Sequence, residues 1–296
     1  MLIRSFRRED AAALVALSMQ CARGESDFVL NPLWEGEDEL FAEFDRFEIV
    51  PEEHLLVADA GDGEVLGLVG FIRENDSKAA GMFCPIVRRN QRGKGVGGEL
   101  LRQAIALGSK KLGIELAAAG VGTRNRGGYS LLTSHGFRPV RQHFLMRCER
   151  ARLSSEPPPA DLVLEAAQRE DADAILELYS TCGFGLRTPA RMQTVLADGR
   201  HAHAVARANG RVVAFVELET HWPRRVWVAF VGVVPELRAR GLGSAVTAWA
   251  LARRFEAGAE SALLMLSPVN RTAVRAYEKA GFRRHRLVDV LEKSLT

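Results

Sequence analysis

The chain has 296 residues, 47% hydrophobic and 26% charged, with a mean hydropathy near zero. That balance suits a water-soluble globular fold and excludes a low-complexity or disordered chain. Lys and Arg number 40 against 37 Asp and Glu, a net charge of +3, so no global field grips nucleic acid and any anion site is local.

No stretch approaches the ~18 apolar residues needed to span a bilayer. Arg7, Arg8, Glu9 and Asp10 follow the first residues closely, so no signal peptide is expected, and the expected location is cytoplasmic with no membrane partner. Cys21, Cys84, Cys148 and Cys182 stand far apart without a C-x-x-C pair, which gives no metal site and no disulfide scaffold. At roughly 100–200 residues per domain, the length predicts two domains.

The first strand and helix are predicted over Leu2–Phe6 and the residues after it, with Ala11, Leu14 and Val15 on one helix face. Asp10 falls in the first turn, where the helix dipole favours a negative charge. Strands follow at His54–Ala60, Val65–Arg73 and Ala79–Val87. A long helix then carries Val96, Leu100, Leu101, Ala104 and Ile105, and a further strand is predicted at Ile114–Gly120. The run Pro157-Pro158-Pro159 favours extended backbone and marks a linker at 153–160 between domains 1–152 and 161–296.

The order then repeats. Arg-Glu-Asp recurs at 8–10 and 169–171, Cys21 falls on Cys182, and Asp10 on Asp171. Strands are predicted at Leu162–Ala166, His201–Ala208, Val212–Thr220, Val226–Val234 and Ala262–Leu266. Asn209-Gly210 marks a tight hairpin. The spacing between matching residues falls from 161 (Cys21 to Cys182) to 146 (Arg92 to Arg238), so the first copy carries an insertion, placed in the acidic, aromatic stretch Phe28–Phe47. Hairpins followed by strand–helix–strand crossovers give an α/β fold with a mixed sheet, built as a tandem duplication.

Each third strand runs into a glycine-rich turn that opens the long helix. Glycines let backbone approach a ligand, and the first helical N–H groups lack internal partners and point outward with the positive end of the dipole. Such a turn seats a diphosphate. Arg88, Arg89, Arg92 and Lys94 surround the first turn, Arg238 and Arg240 the second. Gly93-Lys94-Gly95-Val96-Gly97-Gly98 also fits the dinucleotide fingerprint. Against that reading, Glu115 begins the next strand where the ribose-binding acid belongs at its end, and the second copy lacks the pattern. No Gly-Lys-Ser/Thr occurs, which excludes a Walker loop.

The chain resembles the GNAT family of acetyl-CoA-dependent N-acetyltransferases in two copies, in a layout similar to the tandem mycothiol synthases. Arg92/Gly95/Gly97 and Arg238/Gly241/Gly243 carry the first motif. Asn270, Ala273, Tyr277, Gly281 and Phe282 carry the second in full; copy one keeps Asn125, Gly136 and Phe137 but has Gly128 and Leu132 in place of Ala and Tyr. The resemblance implies that the backbone of Arg92, Gly93, Lys94, Gly95, Val96 and Gly97, and of Arg238, Ala239, Arg240, Gly241, Leu242, Gly243 and Ser244, holds the diphosphate of acetyl-CoA. It implies that Val87, Val233 and Val234 bond the pantetheine arm and that Asn125 and Asn270 brace it. It also implies that Tyr277 protonates the departing thiolate, which leaves the C-terminal copy catalytic and the N-terminal copy able at most to bind acetyl-CoA.

The base is open among Glu217 and Glu219, which alternate to one side of a strand, and His221. A solvent-facing Glu pair on an edge is the alternative, and Trp222 and Trp227 are either pocket walls or core. The acceptor, a small-molecule or peptide amine, is not encoded. A non-catalytic acyl-CoA-binding or regulatory protein is the rival function.

Overall fold

The computed structural model describes residues 1–61, 63–73, 77–154, 162–185 and 187–296. Residues 155–160 of the linker lie outside them. The chain divides into two compact units, Met1–His143 with Arg286–Thr296, and Phe144–His285.

In the first unit the elements run β1 (Leu2–Ser5), α1 (Ala11–Cys21), α2 (Glu37–Arg46), α3 (Pro51–His54), β2 (Leu55–Asp59), β3 (Val65–Ile72), β4 (Ala79–Val87), α4 (Val96–Lys110), β5 (Leu116–Gly122), α5 (Arg126–Ser134) and the first half of β6 (Arg138–Glu149). In the second they run β7 (Leu162–Ala166), α6 (Ala172–Thr181), α7 (Pro189–Ala197), β8 (His201–Ala208), β9 (Arg211–Glu219), β10 (Arg225–Val233), α8 (Leu242–Glu256), β11 (Ser261–Leu266) and α9 (Arg271–Lys279), with β12 (Arg283–Ser294) closing the chain. The Asn209-Gly210 turn has both residues at positive φ (49° and 78°), the geometry of a two-residue hairpin.

The compact units cross the boundary drawn from the sequence, because each closing strand serves the other copy. In unit one the order is β1-β2-β3-β4-β5-β12: Val288–Ser294 runs antiparallel to Leu116–Gly122. In unit two it is β7-β8-β9-β10-β11-β6, with Phe144–Glu149 antiparallel to Ser261–Leu266. Alternation of apolar residues marks these segments as strands but says nothing of which sheet receives them.

Asp10 and Asp171 do more than face a dipole. Each accepts the backbone N–H three residues before it (Arg7 at 2.7 Å, Gln168 at 2.9 Å). Each also pairs with an arginine, Arg4 in unit one and Arg207 in unit two. Arg4 further joins Asp59 of β2, and Arg207 joins Glu165 of β7, so one ion knot clamps the first strands to the first helix in both copies.

Each sheet parts at the same place. β4 and β5 are parallel neighbours only from Ala79/Leu116 to Gly81/Ala118, yet β4 continues to Val87. β10 and β11 pair only from Arg225/Ser261 to Trp227/Leu263, and β10 continues to Val233. The result is a V-shaped cleft in each unit, opening toward the glycine turn.

The strand exchange is testable by truncation. A chain ending at His285 loses the burial of Val288 and Leu291, both 0% exposed, worth roughly 3–6 kcal/mol. Limited proteolysis is expected to digest its N-terminal unit and spare Phe144–His285. A truncated chain whose N-terminal unit resists protease like the full chain contradicts the exchange.

Candidate functional site

The two glycine turns have the same backbone. Gly95 and Gly241 cap α4 and α8 at φ 85° and 82°, in the left-handed region. Two residues earlier, Gly93 has φ 74° and Ala239 has φ 62°. A Cβ at Gly95 or Gly241 would meet nothing within 4 Å, so conformation and not crowding demands glycine there. Both turns are exposed from 92 to 95 and from 238 to 241. Among the described residues, no acceptor bonds the amides of 93–98 or 239–244. These are outward N–H groups at a positive helix end, suited to a diphosphate.

Arg92 and Arg238 turn inward and bolt the turns in place. Arg92 Nε donates to Val87 O at 3.1 Å and its guanidinium reaches Cys21 O at 2.8 Å. Arg238 Nε donates to Val233 O at 3.1 Å and reaches Thr181 O at 3.4 Å. Lys94 and Arg240 stay at the surface, Lys94 against Gln91 at 3.2 Å. Val96 and Leu242 are buried first residues of their helices. Val87 and Val233 stand at the strand ends, whereas the Val234 amide is spent on Val213 O at 3.0 Å and is not available to a ligand. Ser244 faces Ala276 O at 3.5 Å, which ties the turn to the helix bearing Tyr277.

The cleft in unit one is filled from within. Phe28–Asn31, part of the insertion, lies in the V and bonds to both of its walls. Gly122 N donates to Phe28 O at 2.9 Å, Leu30 N to Gly120 O at 2.8 Å and Cys84 N to Asn31 O at 2.9 Å, with a bridge between Val29 and Val121. Asn125 caps α5 through Gly128 N and donates to Phe28 O at 3.1 Å, so its amide braces the chain itself. Leu132 is buried at 1% exposure.

In unit two, among the described residues, no backbone bond fills the space between β10 and β11 beyond Trp227 and Leu263. Asn270 caps α9, accepting from Ala273 N at 3.1 Å, and is exposed. Tyr277, two turns on, is half-buried with its ring edge-on to Phe282 at 5.6 Å. Burial raises its hydroxyl above the ordinary phenol value, so it stays protonated across neutral pH.

The carboxylates of β9 diverge. Glu217 is fully buried, not on a solvent edge. Arg187 grips both of its oxygens (2.6 and 3.0 Å), Tyr179 donates a short hydrogen bond, and His201 Nδ1 and His203 Nε2 lie at 3.3 Å. Burial alone would raise its pKa, but the nearby His201 and His203 rings and the Arg187 guanidinium outweigh that and hold it far below the carboxylate range. A carboxylate so held accepts protons poorly. It also anchors Arg187 over the Tyr179 and Phe230 rings (4.9 and 5.4 Å). Glu219, opposite Trp227, keeps some solvent access, with the buried His221 at 4.0 Å. Trp222 is buried against His221 and Trp227 is partly buried, so both wall the far end of β10. Sequence reading missed Tyr179, Arg187, His201 and His203, because no motif spacing joins residues from a helix, a loop and a strand.

Comparison with known proteins agrees with this geometry. The model of the Acetyltransferase (GNAT) family matches residues 21–137 and again 172–282, so the chain belongs to that family twice over and is an acyltransferase of the class that uses acetyl-CoA. It is similar to mycothiol acetyltransferases, 28% identical over 250 residues to that of Clavibacter michiganensis (77% of this chain, 76% of that protein) and 27% over 252 to that of Thermobispora bispora (78% and 80%). In fold it is similar to a GCN5-related N-acetyltransferase from Sphaerobacter thermophilus (TM-score 0.82, 19% identity, 99% and 95% coverage). A tandem GNAT protein from the clavulanic acid pathway gives TM-score 0.73, 15% identity, and 100% and 98% coverage. Among the described residues no helix is long and apolar enough to cross a membrane.

Glu217→Gln leaves Arg187 without its buried charge partner and is expected to destabilise the second unit by about 3–5 kcal/mol near pH 7. A depressed pKa contributes stability that is complete above the ordinary Glu value of about 4.3 and is lost as pH falls below it. The gap between wild type and variant in urea titrations should therefore narrow below pH 4. A gap independent of pH would contradict the charged state.

Proposed function

We propose that the C-terminal unit transfers acetyl from acetyl-CoA to a primary amine by direct attack. The observation that carries this is the parting of β10 from β11 in unit two beyond Trp227 and Leu263, with a glycine turn of unbonded amides at the end of β10 and Tyr277 on the adjoining helix. The amides of 239–244 hold the diphosphate, the exposed Asn270 amide braces the pantetheine, and the unpaired stretch of β10 toward Val233 offers an N–H to the acetyl oxygen as negative charge develops.

An alkylammonium, pKa near ~10, must lose a proton before attack. Glu217 is committed to Arg187, so Glu219 with His221 takes that proton through water. The amine nitrogen then bonds the carbonyl carbon, the C–S bond breaks, and the Tyr277 hydroxyl gives its proton to the sulfur. The mycothiol acetyltransferase relatives favour a small-molecule acceptor; a peptide amine is the wider alternative.

Tyr277→Phe removes the hydroxyl and keeps the ring packing on Phe282. Turnover with an amine panel, followed by release of free CoA thiol, is expected to fall by about 10²–10⁴-fold with KM for acetyl-CoA unchanged. Wild-type binding of acetyl-CoA without turnover on any amine favours the non-catalytic module instead.

A further inference from the structure

We propose that the N-terminal unit is an acyl-blind coenzyme A site, which holds the nucleotide end of the molecule and admits no acyl arm because Phe28–Asn31 occupies that channel. The proposal rests on the family reading of the glycine turns and goes beyond it in what unit one accepts.

The segment does for this cleft what a pantetheine would do. Its carbonyls take the Cys84 amide and the Asn125 side-chain amide, and its own strand bonding uses Gly120 O and Gly122 N. Side chains lock it there. A Cβ at Gly120 would sit 2.7 Å from Leu30 Cβ, and one at Gly122 would sit 3.2 Å from Phe28 Cβ. Phe28 and Val29 are buried, so withdrawal would expose apolar surface and orphan several backbone groups at once.

The outer part of the site survives. A cavity of about 440 Å³ is lined by Arg92, Gly93, Gly95 and Gly97 of the turn and reaches Val87 and Asn125, with Val29 as part of its wall. Asp27, 6% exposed, also lines it. Its Oδ2 is engaged by Arg89 (3.1 Å) and Arg92 (3.5 Å), which offset its charge toward an incoming diphosphate. Its Oδ1 is buried and has no hydrogen-bond partner. A buried acceptor left open calls for a donor, and the hydroxyl and first amide N–H that follow the diphosphate in coenzyme A are donors of that kind. The ligand class is therefore coenzyme A itself, whatever its sulfur carries.

Titration calorimetry on the full chain carrying Gly241→Val tests this, since a β-branched residue at φ 82° cripples the C-terminal turn. The probes are acetyl-CoA, CoA and 3′-phosphoadenosine 5′-diphosphate. One residual site is expected, with acetyl-CoA and CoA equal within about twofold, a weaker but measurable nucleotide fragment, and loss of all three on adding Gly95→Val. Preference for acetyl-CoA over CoA by more than about tenfold, or no residual binding, overturns the proposal.

Hydrogen exchange on the wild-type chain decides independently of how the variant folds. The amides of Leu30, Cys84 and Gly122 should stay protected at saturating acetyl-CoA, and their deprotection overturns it. Absence of turnover in the wild type would sink the proposed reaction in unit two and leave both readouts unaffected.

Discussion

A parallel strand pair that separates after three residues leaves the rest of both strands with donors and acceptors facing nothing, and backbone groups removed from water must find partners. Much of this protein follows from how the two copies meet that constraint. In unit one the chain supplies the partner: Phe28–Asn31 bonds to both walls of the V. In unit two, among the described residues, the same edges carry no backbone partner. A cleft lined by unmet amides at a helix N-terminus attracts a flexible molecule rich in amides and ending in a diphosphate. The difference between the two clefts thus comes down to the short stretch Phe28–Asn31.

The glycine turns meet a second constraint. Three of the four key positions are glycine, and the fourth, Ala239, sits at φ 62°. A residue with a Cβ in that region carries strain on the order of 1–2 kcal/mol. The surrounding bolts sustain it: Arg238 is tied to Val233 and Thr181, as Arg92 is tied to Val87 and Cys21. The arginine of each turn therefore acts through shape. It fixes the strand end to the first helix so that free amides face outward, while the surface cations Lys94 and Arg240 contribute charge.

What could be read from the sequence was local. Glycine spacing gave both turns, the Asn209-Gly210 pair gave a hairpin, and apolar periodicity gave the long helices, because each depends on residues within a turn or two of each other. What could not be read depends on residues distant in the chain. The sequence placed the insertion near Phe28, but its aromatic character did not say whether it covered the core or entered the cleft. The closing strands alternate as strands should, yet their destination in the other copy's sheet leaves no local trace. Glu217 was legible as one of two acids alternating to one side of a strand. Its partners come from α6, the loop after it and β8, so its commitment to an ion cluster emerges only when those elements converge.

The missing acid of unit one and its filled channel are physically one change. A tyrosine at position 132 would bury a hydroxyl in the core, and a buried hydroxyl needs a hydrogen-bond partner. With Phe28–Asn31 in the cleft, leucine, buried against the apolar cluster of the unit, needs no such partner. Asn125 obeys the same logic, its amide turned from a ligand to Phe28 O. In unit two, where no described backbone bonds between β10 and β11 beyond Trp227 and Leu263, Tyr277 is half-buried and Asn270 exposed. Each copy is internally consistent: where chain fills the cleft, the matching positions are apolar or bonded to that chain, and where none does, the same positions keep polar groups at the surface or half-buried.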